Sequence, residues 1–331
     1  MQRGKKTLIF EVIPVILIHS TNYNEASNIT DLSPEHVEWV KKHTNKNPGL
    51  IDDIRLAKQF CKANNIYGAE SYINGFSGHI LDILVIHYGS FINVLKAFSK
   101  FKEVSVDHPL VIDTEKHHIN PLKVLNQSKI SPLIIIDPIQ KDRNSAAALS
   151  KDQMIIFIDA AKNFLDKPKK DFFEIKKFEM KKNIELAKKK IKNKKFDIIK
   201  ININTLDGSK DVVGTKVLKV YEGIVSHLKL NDFNVLASGW NFIFEKRFAE
   251  IYIITDKNIT KDVEQEGPPI SAKTDYERFI KKHTEMKHKI SLRGNRAYVV
   301  MPRKYTDPKK FILDISREEF IKMRVKSIRV I

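Results

Sequence analysis

Lys58 stands where an aliphatic side chain is expected. Ile51, Ile54, Ala57 and Cys61 line one stripe of an amphipathic helix predicted over residues 51–64, and Lys58 falls inside that stripe. An ammonium so placed either snorkels to water or points into a site. Glu11 raises a similar question, because it is the lone charge in TLIFEVIPVILI, which reads as a strand. A carboxylate on a buried strand must be neutral, paired or bound to a cation; on an edge strand its head can sit in water. Asp82 is the one charge in the apolar run that starts at Ile80, so it needs a hydrogen-bonding partner and reads as architectural. His36 follows Ser33-Pro34, a pair that starts a helix as a cap followed by proline should. Taken by itself it reads as a surface helix histidine, with His43 close by. Arg143, taken by itself, reads as a loop ion-pair arginine, its guanidinium a planar fork of donors. Arg55, one turn before Lys58, is a natural partner for Asp52.

The surrounding chain narrows the classes. Its 331 residues are enough for two or three domains, and 42% apolar with 30% charged residues describes a soluble globular protein. A net charge of +18 and a pI near 9.6 point to a polyanionic partner, or to a compositional bias toward Lys, Asn and Ile. The single cysteine, Cys61, excludes a disulfide framework and a cysteine zinc site, and the chain is expected to be cytoplasmic. Leu8 to Ile18 is interrupted by Glu11 and Pro14 and lacks a small-residue cleavage site, so it does not read as a signal peptide.

The elements that must position these residues centre on residues 67–91, YGAESYINGFSGHILDILVIHYGSF. A small-residue turn tightens at Gly75 to Gly78, then an apolar run too short for a membrane span reaches a corner at Tyr88, Gly89 and Ser90. A helix over 90–101 follows, then two short extended runs, VSVDHPLVIDT and PLIIIDP. Ser150 and Gln153 predict a capping box for a helix whose stripe is Met154, Phe157, Ile158, Ala161, Phe164 and Leu165. Lysine then dominates residues 167–200. The run Lys188, Lys189 and Lys190 is either a phosphate-tracking face or a solvated one. FDIIKINI, a helix over 211–228, FNVLASGW and AEIYIITD alternate as strand, helix, strand, strand, which suggests a small sheet with a helix on one face. Glu266 to Pro269 reads as a turn. Beyond it Arg293, Arg296, Arg303 and Lys304 gather around the strand RAYVVMPRKY.

YGAE, GFSG and YGSF, in this order and spacing, resemble the central signature of the archaeal-type (class I) CCA-adding tRNA nucleotidyltransferases. Ile136-Asp137-Pro138 with Arg143-Asn144 resembles that family's DP...RN segment. The resemblance implies an α+β chain: a remnant of the nucleotidyltransferase head over 1–22, a helical central domain of the poly(A) polymerase/oligoadenylate synthetase substrate-binding type over 23–166, and an α+β body and tail over 167–331. It implies transfer of CMP, CMP and AMP from CTP and ATP to the 3′ end of tRNA, with Mg²⁺. His36, Lys58 and Tyr67 would hold the triphosphate, an ammonium and a phenol being suited to non-bridging phosphate oxygens. Arg143 would face the base. Glu11-Val12-Ile13-Pro14 matches the strand bearing the third metal-binding carboxylate, with Glu for Asp, which makes Glu11 the catalytic and metal-binding candidate. Lys188, Lys189, Lys190, Arg293, Arg296 and Arg303 would meet the acceptor and T stems of tRNA. The family's Gly-Ser helix and its pair of metal-binding aspartates have no counterpart in these residues. The expectation is therefore an incomplete enzyme, inactive alone, served by a separate head polypeptide docked on the exposed edge of the Glu11 strand; a homodimer stays open. The rival expectation is a tRNA-binding protein that has lost catalysis. One departure from the family's pattern is Asn74, where arginine usually precedes GFSG.

Overall fold

A computed structural model describes residues 12–16, 18, 25–191, 194–257 and 259–331. The chain divides into two compact units, Met1–Lys176 and Lys177–Ile331, and is α+β in class.

In the first unit a 3₁₀ turn, Ile29–Leu32, leads into α1 (Ser33–Lys46). The helix is entered differently from expectation: Ser33 is already helical, Leu32 is the cap position, and Asn28 caps the preceding turn, while Pro34 does lie in the first turn. α2 (Gly49–Ala63) buries Leu50, Ile54, Ala57, Phe60 and Cys61, whereas Ile51 is exposed. At 100° per residue Leu50, not Ile51, shares the face of Ile54, Ala57 and Cys61. α3 (Gly78–Tyr88) begins at Ser77, whose hydroxyl accepts from Ile80 N, and ends at Gly89, which takes a left-handed φ of 79°. Ser90 then caps α4 (Phe91–Ser99), and the two helices meet at 90°. They are apolar because they fill the core: Ile80, Leu81, Ile83, Leu84, Val85, Phe91, Val94, Leu95 and Phe98 are all buried. Among the described residues no single helix is long and apolar enough to cross a membrane.

β1 (Leu110–Ile112) and β2 (Leu133–Ile135) form a parallel pair, and α5 (Lys151–Asp166) closes the unit with Met154, Phe157, Ile158 and Ala161 inward. Ser150 caps α5 by accepting from Gln153 N, but the capping box is half made. The Gln153 side chain instead donates to Ile73 O, tying the helix to the turn before GFSG. Asn74 has a left-handed φ of 54°, its side chain donates to Ser71 O, and its own carbonyl accepts from Ser150 N. Asn tolerates that backbone region better than arginine does, so the departure at 74 suits the turn found here.

The strand expected over TLIFEVIPVILI is not seen in its described part. Residues 12–16 belong to no helix or strand, and Val12 is 90% exposed, having no strand beside it among the described residues.

The second unit opens with α6 (Met180–Lys190), β3 (Phe196–Thr205), α7 (Lys210–Leu230), β4 (Val235–Ile243) and β5 (Phe248–Asp256). Next come β6 (Asp262–Pro269), α8 (Lys273–Glu285), β7 (Lys289–Arg293), β8 (Arg296–Pro302), α9 (Pro308–Ile315), α10 (Glu319–Lys322) and β9 (Val325–Val330). An antiparallel sheet runs β4-β5-β3-β9. Strand alternation sends Ile199, Ile201, Ile203, Ile251 and Ile253 against Val217, Val220 and Ile224 of α7 and Phe311 and Ile312 of α9. The opposite face, with Tyr252 and Ile254, takes Ile184 of α6, so helices lie on both faces rather than on one. A second sheet runs β6-β8-β7, antiparallel throughout. Glu266 to Pro269, expected as a turn, is the end of β6, where the register shifts between Glu266 and Pro269. Gly267 is needed there because a Cβ would lie 2.6 Å from the Phe279 ring on α8.

Candidate functional site

Two loops and three helix segments bring the chemistry of the first unit together. Tyr67 and Phe76 form a bridge, with Gly68 N donating to Phe76 O and Phe76 N to Ile66 O, both 2.8 Å. Backbones approach so closely that a Cβ on Gly75 would be 2.3 Å from Ile66 O. This pinned turn delivers the start of α3 to α2. A Cβ on Gly78 would lie 3.1 Å from the Tyr67 hydroxyl and 3.7 Å from Lys58 Nζ. The missing side chain at 78 thus lets a phenol and an ammonium converge on the first turn of a helix. Lys58 Nζ is also 2.7 Å from Asp82 Oδ1, one turn further along α3. Asp82 has found the partner its position demanded; burial pushes its carboxyl up, with Lys58 opposing. Lys62 Nζ stands 4.8 Å over the Tyr67 ring.

Beside this point is a cavity of about 420 Å³ lined by His36, Val37, Val40, His79, Asp82 and Arg143, among others. Behind the His36 and Arg143 side chains that line it lies Asp137, which is fully buried. Oδ1 accepts from His36 Nε2 at 2.8 Å, Ile139 N at 3.0 Å and Gln140 N at 3.1 Å. Oδ2 accepts from Arg143 Nη1 at 2.6 Å and Ser145 Oγ at 2.9 Å, and His79 Nε2 is 3.6 Å away. Burial alone would raise this carboxyl, but the imidazoles of His36 and His79 beside it outweigh that and hold it well below the usual carboxylate range. The His36 and His79 ring centroids are 4.2 Å apart. His79 Nε2 is buried without a hydrogen-bond partner among the described residues.

Ligand atoms of His36, His79 and Asp137 lie within 4.8 Å of one another. Two imidazoles suit zinc-like ions and not Mg²⁺, which takes oxygens. Both Asp137 oxygens are already filled, one by a guanidinium, so the cluster is a neutralised carboxylate and does not fit Mg²⁺. Glu11, the metal candidate, lies outside the described residues. What the site offers instead is donor groups for an anionic, planar ligand: His36, His79 and Arg143 line the cavity, and Lys58 and Tyr67 meet at Gly78 beside it.

His36, Lys58, Tyr67 and Arg143 therefore come from four separate stretches to one neighbourhood. His43 does not share it, its Nδ1 bonding to Trp39 O at 2.9 Å. Arg55 pairs with Asp52 at 3.0 Å on the surface. His79, Asp137 and Gly78 are members of the site that no separate role was assigned to in the sequence. The signals available were the imidazole directly after GFSG and the acid of the DP pair.

In the second unit the basic candidates are spread and mostly paired. Lys188, Lys189 and Lys190 form the last turn of α6, and Lys188 pairs with Glu185 at 2.7 Å. Arg293 makes two 2.7 Å bonds to Glu264, and Arg296 lies 2.9 Å from Glu266, both across the three-stranded sheet. Arg303 reaches Asp232 at 2.9 Å, beyond the end of α7.

Two family descriptions match the chain: "tRNA nucleotidyltransferase, second domain" over residues 52–174 and "CCA-adding enzyme, C-terminal domain" over residues 196–323. The chain is 31% identical over 321 residues to a CCA-adding enzyme of Nanoarchaeum equitans, spanning 95% of this chain and 73% of that protein. It is 28% identical over 303 residues to the CCA-adding enzyme of Methanosarcina acetivorans, covering 62% of that protein. With the CCA-adding enzyme of Methanoregula boonei it shares 37% identity over 170 residues, 34% of that protein's length.

Proposed function

This chain belongs to the CCA-adding enzyme family, and we propose that it is the nucleotide-holding and tRNA-holding part of an archaeal-type (class I) enzyme of that kind. The reaction is transfer of CMP, CMP and AMP from CTP and ATP to the 3′ end of tRNA. His36, Lys58 and Tyr67 hold the triphosphate and Arg143 faces the base. Glu11 serves as one metal ligand, with Mg²⁺ the expected ion. The remaining carboxylates and the Gly-Ser helix belong to a head supplied outside residues 1–331, by a separate polypeptide or by further chain. Lys188 to Lys190, Arg293, Arg296 and Arg303 follow the phosphates of the acceptor and T stems, an A-form duplex being read by shape and charge. The setting is the cytoplasm, in keeping with a single buried thiol.

The observation that carries this reading is the convergence of Lys58 Nζ and the Tyr67 hydroxyl at Gly78, beside the cavity lined by His36 and Arg143. Ammonium, phenol and helix N–H groups at one point form an anion site with a slot for a base next to it. The test is incorporation of labelled CTP and ATP into tRNA lacking its CCA end, by this chain alone and together with a head segment taken from a full-length relative. Activity in the mixture and not with the chain alone is expected. Tight tRNA binding with no incorporation in either case would replace this reading with a non-catalytic tRNA-binding protein.

A further inference from the structure

We infer that Asp137 is a positioning residue that holds His36, His79 and Arg143 as one unit, so that the phosphate-facing and base-facing ends of the pocket act together. This rests on the reading of the cavity as a nucleotide site. Of the five hydrogen bonds Asp137 accepts among the described residues, three are local: Ile139 N, Gln140 N and Ser145 Oγ fix the carboxylate on its own loop. The other two come from pocket side chains, His36 Nε2 on one oxygen and Arg143 Nη1 on the other. A buried carboxylate demands partners, because leaving it unpaired is costly. The fixed acid therefore dictates where the helix α1 imidazole and the loop guanidinium can stand. The 2.6 Å bond anchors one end of the guanidinium at the acid, and a guanidinium has four further donors beyond the one so used. His79 closes the unit, with its ring against His36 and its Nε2 3.6 Å from Asp137 Oδ2.

His36 and Arg143 bond to different oxygens of Asp137, so energetic coupling between them has a ready route through that carboxylate. The experiment measures equilibrium binding of CTP and of ATP to the full chain for His36→Gln, Arg143→Gln, Asp137→Asn and the pairwise doubles. Each single variant is expected to weaken binding about tenfold. Each double should be weakened about tenfold to thirtyfold rather than a hundredfold, the mark of residues acting as a unit. Losses that multiply to about a hundredfold would overturn the inference. The His36→Gln/Arg143→Gln cycle leaves the carboxylate in place and decides the matter even where Asp137→Asn does not fold. Should the wild-type chain bind neither nucleotide, the functional reading fails, and the unit is judged without ligand from the ring ¹⁵N signals of His36 and His79. Arg143→Gln should move both if Asp137 transmits the change; signals unmoved would overturn it.

Discussion

Lys58 Nζ and Asp82 Oδ1, 2.7 Å apart, form an ion pair between α2 and α3 in which the lysine is 30% and the aspartate 16% exposed. A pair this sheltered is costly to break from one side. Lys58→Met should lower stability by about 1–3 kcal/mol, because it leaves the carboxylate short of its charged partner. Lys58→Met/Asp82→Leu should recover most of that loss. The pH sign is distinctive. A carboxyl whose folded pKa is raised binds protons more readily in the folded state, so stability falls as pH rises through that pKa. Removing Lys58 takes away the opposing influence, so the deficit of Lys58→Met should be larger at neutral pH and shrink on acidification. Urea unfolding at pH 7 and pH 5 measures both; a deficit that grows in acid would contradict the assignment.

Gly78 offers a way to separate ligand binding from folding. It has an ordinary backbone conformation at the start of α3, so alanine brings no strain of its own there. The added methyl would instead crowd the Tyr67 hydroxyl at 3.1 Å and approach Lys58 Nζ at 3.7 Å. Gly78→Ala is expected to weaken CTP binding about tenfold with a thermal midpoint within a few degrees of wild type. Unchanged CTP affinity would move the phosphate site away from this turn.

Much of the first unit was legible because its signals are local. Ser77, Gly89 and Ser90 are cap and turn residues whose chemistry fixes the α3–α4 corner, and the α5 stripe is one-sided. Lys58 and Asp82 each stood out as a charge among apolar neighbours, but their partnership joins positions 24 apart and periodicity could not pair them. The Asp137 cluster was hidden for the same reason, since His36 lies 101 residues from the acid it donates to. In the second unit β7 and β9 escaped notice. β7 has one face largely open and β9 is an edge strand, so neither shows a strong apolar alternation. Glu266 to Pro269 carries turn residues yet ends a strand, because a register shift accommodates the prolines and Phe279 packs over Gly267.

Asp31 should set part of the acid limb of stability, with a sign opposite to that of Asp82. Its buried carboxylate accepts from Ile16 N at 3.0 Å, Ser27 N at 3.0 Å and Asn28 N at 3.1 Å. These backbone donors, Ile16 first, hold its pKa below the ordinary value despite burial. Stability from such a group is present above the unfolded carboxylate pKa and is lost as pH falls through the depressed folded value. Asp31→Asn is expected to be less stable at pH 7 and to show a flatter stability profile below pH 4. A profile parallel to wild type across that range would mean these bonds contribute nothing measurable.

Arg293 and Arg296 test whether the three-stranded sheet meets RNA. Their partners Glu264 and Glu266 lie on β6, and the arginine side chains remain 60% and 43% exposed. An exposed pair is worth about 0–1 kcal/mol, so a phosphate can displace the carboxylate at little cost. If these arginines reach tRNA, Arg293→Gln and Arg296→Gln should each weaken binding several-fold and each reduce the slope of log K against log salt by about 0.7–0.9. Stability should change by less than about 1 kcal/mol in both. Glu264→Gln is the sharper probe, because it frees Arg293 from two 2.7 Å bonds and removes a negative charge from the same face. It should tighten tRNA binding, with the gain largest at low salt, where charge screening is weakest. Unchanged affinity in Glu264→Gln, together with full affinity in Arg293→Gln, would make the pair a brace between β6 and β7 and move the RNA contact to α6 or to Arg303.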